Sequence, residues 1–251
     1  MSDRRPDIIH THDLTKSYKD FVAVDHLNLT VIAGEIFGFL GHNGAGKTTA
    51  VSLLTTLIKP TSGTATICGY DITTDSLKVR ASIGYLPENV MFYDNLSANE
   101  NLLFFAQLSG VTEAKEKIQV TLKFLDMADV GDQQMHTFSK GMRQRIGIAQ
   151  AILHDPKVLF LDEPTSGLDP MGIRHLRSTL QRLNQEKGMT IFMNTHLLSE
   201  VAKTCTTIGV LSHGRLIYHD SLRNTLNRFH DEASLEDIYL NVEEHDQAVI
   251  V

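Results

Sequence analysis

The sequence predicts an α/β fold with a mainly parallel sheet, a small antiparallel β subdomain and an inserted helical subdomain. Apolar runs typical of buried strands occur at 35–40, 158–161, 189–194 and 208–211, and helical patterns separate several of them. Strands that alternate with helices in this way form parallel, twisted sheets. Residues 97–153 interrupt the alternation with a purely helical pattern, so they are expected to form an insertion.

The strands at the amino-terminal end are predicted to form a separate, half-exposed sheet. Ile8–Tyr18 and Phe21–Ile32 alternate apolar and polar residues, as strands of an antiparallel sheet with one solvated face do. Residues 60–63 form a turn, and Thr64–Cys68 a short strand. Ile83–Leu86 is predicted to be another buried strand.

The sequence of the inserted block predicts three helices. Ser97 and Glu100 form a capping-box sequence that opens an apolar helix. A second helix is predicted over 112–127, where apolar residues recur on one helical face. Ser139 is well suited to cap a third helix, which runs to Leu153.

The rest of the chain returns to the alternating pattern. Leu176, Leu180 and Leu183 mark one face of a helix between two of the buried strands. Residues 212–215 have the composition of a hairpin turn. A short polar tail is expected after Ser221.

Composition and charge exclude several classes of protein. The chain has 251 residues and a formal net charge of −7, which argues against a generic nucleic-acid binder. Cys68 and Cys205 lie outside any CxxC pattern, as expected of buried thiols in a reducing compartment. His10 and His12 lack further ligands nearby, which disfavours a metal site. Residues 1–6 lead directly into a strand pattern, so no signal peptide is expected.

A glycine-rich loop between a predicted strand and a predicted helix carries the strongest chemical signal. Residues 41–49 fit G-x-x-x-x-G-K-[ST], a loop whose backbone N–H groups cradle nucleotide phosphates at a helix N-terminus. Lys47 is expected to reach the β- and γ-phosphates, and the Thr48 hydroxyl to bind Mg²⁺. A glycine turn with a solvated lysine is the alternative, but the strand and helix at its flanks disfavour it. The ATP-binding residues predicted in this loop are Gly41, His42, Asn43, Gly44, Ala45, Gly46, Lys47, Thr48 and Thr49.

Two adjacent acids end the buried strand at 158–161. Asp162 is placed to hold Mg²⁺ through water, and Glu163 to activate the attacking water as a general base. The alternative is that Asp162 and Glu163 are only solvated residues at a strand end, and this interpretation would be preferred if the glycine loop were absent.

The predicted helix that Ser139 opens is a candidate for a second anion site. A helix N-terminus with a serine cap and a glycine at 141 offers backbone N–H groups to a negatively charged group. The alternative is only a capped helix that carries basic residues.

With these motifs in this order, residues 8 to about 220 resemble the ATPase subunits of ATP-binding-cassette (ABC) transporters, which are P-loop NTPases. The glycine loop resembles the Walker A motif, and 158–163 the Walker B motif. Residues 139–143 are similar to the signature motif, and 166–169 to the D-loop that contains Asp169. The resemblance also implies that His196 is the switch histidine at the γ-phosphate and that Tyr18 stacks on adenine.

Two motifs depart from the usual pattern of the family. Glu88 stands where the family usually has a glutamine, and it would still offer Mg²⁺ an oxygen ligand. In the signature, Lys140 and Met142 replace glycine and glutamine, whereas Ser139 and Gly141 remain. Both departures are typical of the branch that exports drugs, antibiotics or sodium.

The resemblance implies an ABC ATPase domain over 1–220, with a helical signature subdomain at 88–155, and a short C-terminal tail over 221–251. It implies a peripheral protein on the cytoplasmic face of the cell membrane that hydrolyses Mg²⁺-bound ATP to power separate permease subunits. Two copies, or one copy and a paralogue, would pair head to tail, so that the signature contacts the partner's ATP. The implied catalytic residues are Lys47, Glu163 and His196, and the implied Mg²⁺ ligands are Thr48, Glu88 and Asp162.

Other readings stay open at this stage. An importer ATPase would have a similar site, although such subunits often carry a longer C-terminal domain. A non-transport ABC ATPase, for example one in iron–sulfur assembly, is harder to exclude. A monomeric GTPase or kinase would leave the signature and the D-loop unexplained.

Overall fold

The computed structural model describes residues 5–229, 237, 239 and 240. The strands are β1 (Asp7–Tyr18), β2 (Phe21–Leu27), β3 (Thr30–Ile32), β4 (Ile36–Leu40), β5 (Ser62–Ile67), β6 (Tyr70–Asp71), β7 (Ile83–Leu86), β8 (Val158–Asp162), β9 (Thr190–Asn194), β10 (Thr207–Ser212) and β11 (Arg215–Ser221). The helices are α1 (Lys47–Leu54), α2 (Ser76–Ser82), α3 (Ala98–Leu108), α4 (Ala114–Phe124), α5 (Lys140–Ile152), α6 (Pro170–Lys187), α7 (Leu198–Thr204) and α8 (Leu222–Arg228).

A six-stranded sheet forms the centre of the molecule, in the order β11-β10-β4-β9-β8-β7. Neighbouring strands from β10 to β7 pair in parallel, and β11 adds to β10 as an antiparallel edge strand. The predicted mainly parallel sheet is therefore confirmed. Because β4, β8 and β9 run in the same direction, the loops after them meet at one edge of the sheet.

The central strands are buried on both faces, as their continuous apolar sequences predicted. One face carries a layer of four phenylalanines in which neighbouring rings lie 5.1–6.2 Å apart. These are Phe37, Phe39, Phe160 and Phe192. This layer packs with α1 and with the antiparallel sheet, while the opposite face packs against the helices of the inserted block. The glycine loop thus stands on a rigid base.

The antiparallel sheet contains β2, β1, β5 and β6 in that order, and β3 pairs with β1. The single strand expected over Phe21–Ile32 is wrong in one respect, because the strand is broken after Leu27. The Thr11 hydroxyl donates to the Leu27 carbonyl and accepts from the Leu29 amide, so it takes over pairing at the break. Leu27 and Leu29 remain buried, which is why the alternation in the sequence runs on without interruption.

The helical block contains α3, α4, two 3₁₀ turns and α5. The predicted capping box is present, since Ser97 accepts from the Glu100 amide and Glu100 accepts from the Ser97 amide. Helix α5 packs against β7, and the apolar core of the block is continuous with one face of the parallel sheet. The division at 88–155 remains a prediction.

Three short helices, α2, α7 and α8, were not predicted. Helix α2 buries only Val79, and α8 buries only Thr225, so neither leaves an apolar periodicity in the sequence. The segment expected to be a polar tail begins with α8, which the Ser221 side chain caps. Residues 230–236, 238 and 241–251 of that segment lie outside the described residues.

The two cysteines differ in burial. Cys205 is buried and Cys68 is half-buried, both are free thiols, and burial raises the pKa of each. Within the part of the chain that the structure describes, no helix combines the length and the apolar character needed to cross a bilayer.

Candidate functional site

The glycine loop joins the end of β4 to the start of α1, as the sequence predicted. Gly46 has a φ of 103° and a side chain there would lie 2.1 Å from the Ala23 carbonyl oxygen, so only glycine fits. Helix α1 begins without a side-chain cap. The N-terminus of α1, with its partial positive charge, therefore faces the position where an anion is expected, in front of Thr48 and Thr49.

Lys47 is held by the loop itself. It is 6% exposed, and its ammonium donates to the carbonyl oxygens of Gly41 at 2.7 Å and His42 at 3.1 Å. These contacts hold the ammonium against the loop that surrounds the predicted phosphate site.

The two acids at the end of β8 form hydrogen bonds with residues at the end of β9 and in the loop after it. The Asn194 amide donates to Asp162 Oδ1 at 2.5 Å, and Glu163 Oε2 lies 2.8 Å from His196 Nδ1. An ionised carboxylate can only accept, so His196 donates through Nδ1 and keeps Nε2 for another contact. The Glu163 side chain is 15% exposed and that of His196 is 55% exposed. The base and the histidine predicted from sequence thus stand side by side.

The site disfavours the ionised form of Asp162 and holds Glu163 in an unfavourable backbone conformation. Burial raises the pKa of Asp162, and the nearby carboxylates of Glu163 and Glu88 raise it further, against the hydrogen bond from Asn194 and the charge of Lys47. Glu163 has a φ of 45°, a left-handed conformation that is unfavourable for a residue other than glycine. Strain of this kind concentrates at functional sites.

These residues face one cavity of about 510 Å³. Its walls come from β2, the glycine loop, α1, the loop after β7, and the ends of β8 and β9. The lining residues are Phe21, Ala23, Asn43, Gly44, Gly46, Lys47, Thr48, Thr49, Glu88, Glu163, Asn194 and His196. Glu88 is exposed, and its carboxylate accepts a hydrogen bond from the Ser166 hydroxyl at 3.3 Å.

Tyr18 lies next to this cavity rather than in its wall. It pairs across the β1–β2 hairpin with Phe21, which is a lining residue, and its own ring is exposed. The ammonium of Lys16 lies 5.1 Å from the centre of the Tyr18 ring. Stacking of Tyr18 on adenine therefore stays a prediction.

The signature residues line a second cavity of about 380 Å³, between the start of α5 and the start of α6. Ser139 caps α5 by accepting from the Met142 amide at 3.3 Å, and Asp169 caps α6 by accepting from the Gly172 amide at 2.7 Å. The Lys140 side chain lies over Gly167. The lining residues are Ser139, Lys140, Gly141, Gln144, Arg145, Gly167, Leu168, Asp169, Met171, Gly172, His175 and Leu176.

The structure therefore divides the predicted site residues into two groups. The first cavity is lined by Glu88, Glu163, His196 and six residues of the glycine loop, whereas Ser139, Lys140, Gly141 and Asp169 line the second. Besides Tyr18, the predicted residues of the first site that are not among its lining residues are Gly41, His42, Ala45 and Asp162. No residue lines both cavities. Met142 packs against the apolar core and offers only its backbone to the cap.

Three lining residues of the first cavity were missed. Phe21 and Ala23 come from a strand that the sequence assigned to the antiparallel sheet, and contact with the loop is visible only in three dimensions. Asn194 did leave a signal, because it is a polar residue at the end of a fully buried strand. The same signal at the end of β8 drew attention to Asp162.

The donors at the first cavity suit a small, hard cation. Among the described residues, no three histidine, cysteine or acidic side chains stand close enough to hold a metal ion by themselves. Thr48, Glu88 and Asp162 offer only oxygen atoms, and Mg²⁺ is usually held by one or two carboxylates together with phosphate oxygens. The set fits Mg²⁺ that arrives with a nucleotide.

A strand–glycine loop–helix unit, with two acids at the end of β8, a strand of the same sheet that β9 separates from β4, defines a P-loop nucleotide-binding protein. The sequence profile of the ABC transporter family matches residues 24–166. The chain belongs to this family, as the ATP-binding subunit that hydrolyses ATP.

Named relatives agree with this assignment. The bacitracin transport ATP-binding protein BcrA of Bacillus licheniformis is 44% identical over 210 residues, which cover 84% of this chain and 68% of BcrA. An uncharacterised ABC transporter ATP-binding protein of Bacillus subtilis (strain 168), YcbN, is 43% identical over 217 residues, which cover 86% of this chain and 70% of YcbN.

Solved structures show the same fold. The ATP-binding subunit of an ABC transporter superposes with a TM-score of 0.82 at 28% identity, covering 94% of this chain and 99% of that one. A dimeric, post-hydrolysis ATP-binding cassette bound to ADP and Pi gives a TM-score of 0.76 at 25% identity, covering 86% and 99%.

Proposed function

We propose that this chain hydrolyses ATP in its first cavity to drive a membrane exporter of drugs, antibiotics or ions, whose spanning subunits are separate polypeptides. The hydrogen bond of 2.8 Å between Glu163 and His196, in the same cavity as Lys47, is the observation that carries the proposal. It brings together a base, a histidine and a phosphate-binding lysine. Both departures from the usual motifs and the similarity to BcrA support the exporter branch.

Each residue has a distinct role in this proposal. The glycine loop and Lys47 bind the β- and γ-phosphates, and Tyr18 stacks on the adenine ring. Glu163 takes a proton from the attacking water, and His196 orients Glu163 through Nδ1 while Nε2 contacts the γ-phosphate. Thr48, Glu88 and Asp162 would hold Mg²⁺, which when bound neutralises charge on the phosphates.

Two such chains, identical or paralogous, would pair head to tail. The first cavity has the Glu163–His196 pair but only one lysine. The second has basic side chains and the N-terminus of α5, and its carboxylate, Asp169, is engaged in capping α6. Placing one cavity against the other completes a site at the interface. The dimeric cassette among the solved structures supports pairing of this fold.

The face that would meet the permease lies beside Glu88. Met91, Tyr93, Phe104 and Leu108 expose large apolar side chains on the helical block; Met91 is 81% and Leu108 70% exposed. An apolar surface of this kind favours protein contact. We place the chain on the cytoplasmic face of the cell membrane, held there by this contact, while the permease determines the transported substrate.

The test of the proposed function is Glu163→Gln. The amide keeps the size of the side chain but cannot accept the proton, so ATP turnover should fall about 10²- to 10⁴-fold. ATP binding should persist, and an ATP-bound dimer should accumulate on size-exclusion chromatography. Turnover close to that of the wild type would contradict the role of Glu163.

A further inference from the structure

Asn194 is a polar residue at the end of a fully buried strand. It lies at the end of β9, directly beside Asp162 on β8, and it is 1% exposed. The three residues before it, Ile191, Phe192 and Met193, all belong to the apolar core. Burying an amide is costly unless it forms hydrogen bonds, so its presence here calls for a partner.

The two ends of the Asn194 amide differ in their contacts. Nδ2 donates to Asp162 Oδ1 at 2.5 Å, and this contact fixes the amide orientation because a carboxylate cannot donate. Oδ1 is buried and has no hydrogen-bond partner among the residues that the structure describes. Because Asn194 is one of the residues that line the first cavity, this unpartnered acceptor lies buried close to the predicted phosphate site.

The backbone of Asn194 holds the second acid. Its carbonyl oxygen accepts from the Glu163 amide at 2.9 Å. One residue therefore fixes the Asp162 side chain through its amide and the Glu163 main chain through its carbonyl group. A substitution at 194 removes the first contact and leaves the second in place.

We propose that Asn194 is a positioning residue for the Mg²⁺–ATP site. Its Nδ2 fixes the rotation of the Asp162 carboxylate, which directs the second carboxylate oxygen to the cation. This inference rests on the proposed function, because it requires that nucleotide and cation bind in the first cavity.

The expected size of the effect follows from the behaviour of residues that hold metal ligands. Removing such an outer partner typically lowers metal affinity about 10- to 100-fold. Asn194→Leu keeps a similar volume and removes both polar atoms. We therefore expect the Kd for the cation to rise by about that factor, with nucleotide affinity measured without metal unchanged.

The experiment is a titration with Mn²⁺, which replaces Mg²⁺ and is followed by electron paramagnetic resonance in the presence of AMP-PNP. Asn194→Leu should bind Mn²⁺ more weakly by the stated factor. Asn194→Ser, which introduces a smaller polar group, should show an intermediate loss of Mn²⁺ affinity. If the leucine variant does not fold, the serine variant tests the role of Asn194.

Thr190→Val is the matched control. Thr190 lies at the other end of β9, is equally buried, and accepts from the Gly34 amide at 2.9 Å. This variant should lower Tm as any lost buried hydrogen bond does, yet leave the Mn²⁺ affinity unchanged.

The role of Asn194 and the proposed function are contradicted by different results. Wild-type Mn²⁺ affinity in whichever Asn194 variant folds would overturn the role of Asn194. Failure of the wild-type protein itself to bind AMP-PNP and Mn²⁺ would instead overturn the proposed function.

Discussion

The two cavities on this chain have opposite chemical characters. The first gathers the carboxylates of Glu88 and Glu163 around a single lysine, and Asp162 lies buried behind them. The second presents Lys140 and Arg145 at the start of a 13-residue helix and contains no strained acid. Under the proposed head-to-tail pairing, the basic second cavity of one chain would face the acidic first cavity of the other.

The largest expected effect comes from placing a negative charge in the second cavity. A side-chain carbon at Gly141 would meet only Leu168, at 3.9 Å, so the site has room for a side chain. Gly141→Asp should fold, but its carboxylate would repel the partner's phosphates, and ATP turnover should fall about 100-fold or more. Gly141→Asn, which is neutral and of the same size, should lose much less.

Gly141→Asp also tests whether the two cavities contribute separately to nucleotide binding. Binding of a fluorescent ATP analogue to monomeric Gly141→Asp should match the wild type, because the first cavity is untouched. Equal weakening of nucleotide binding by Gly141→Asp and by Lys47→Ala would mean that the cavities do not act as separate surfaces.

A smaller effect is expected at Glu88. If its carboxylate is a ligand of Mg²⁺, Glu88→Gln keeps an oxygen but removes the charge, so half-maximal turnover should need more Mg²⁺ with a modest loss of maximal rate. Glu88→Ala should lose more because the oxygen is absent. Ser166→Ala, which removes only the hydrogen bond to Glu88, is the control. Superimposable Mg²⁺ titrations of wild type and Glu88→Gln would exclude the charged-ligand role.

Charge in the first cavity should also reduce stability. The pKa of Asp162 is raised above 3.8 by burial and by its acidic neighbours. Its contribution to stability is therefore present at pH values below about 4 and is lost as the pH rises through the folded-state pKa. Without nucleotide at pH 7, Asp162→Asn should raise Tm by about 2–4 °C, which corresponds to about 1 kcal/mol for a chain of this size.

Thermal melts over a range of pH test this prediction. The difference in Tm between Asp162→Asn and wild type should shrink as the pH approaches 4. An Asp162→Asn protein less stable than wild type at pH 7 would show that the carboxylate is fully compensated by its contacts.

The smallest effect concerns backbone strain. Glu163 occupies a left-handed conformation, whereas the comparable position in the second cavity, with a φ of 65°, is Gly167. Glu163→Gly should be more stable than Glu163→Ala by about 0.5 kcal/mol, since relief of about 1–2 kcal/mol of strain is partly offset by the chain entropy of glycine. Denaturant unfolding measures the difference, and a Glu163→Ala protein more stable than Glu163→Gly would mean that position 163 stores no strain.

Local signals explain what the sequence could predict. The glycine loop, the acids after β8 and the cap at Ser139 each depend on a few consecutive residues, and the central strands are apolar throughout. The seven-residue helices α2 and α8 were missed because each buries one residue, which leaves no period to detect.

Contacts between distant segments could not be predicted in this way. Glu88 meets Ser166 across 78 residues, and Asn194 meets Asp162 across 32, so only the folded sheet brings these pairs together. The separation of the signature residues from the glycine loop is likewise a property of the fold. The sequence indicated which residues carry chemistry, while their grouping into two surfaces required the structure.

The contacts of Lys47 within the glycine loop have a consequence for the speed of ATP capture. Because the Gly41 and His42 carbonyl groups already fix the ammonium, nucleotide binding needs an exchange of hydrogen-bond partners rather than the ordering of a flexible arm. The association rate should then be governed by diffusion and charge steering, and it should depend on ionic strength. The glycine loop is thus preorganised for nucleotide binding.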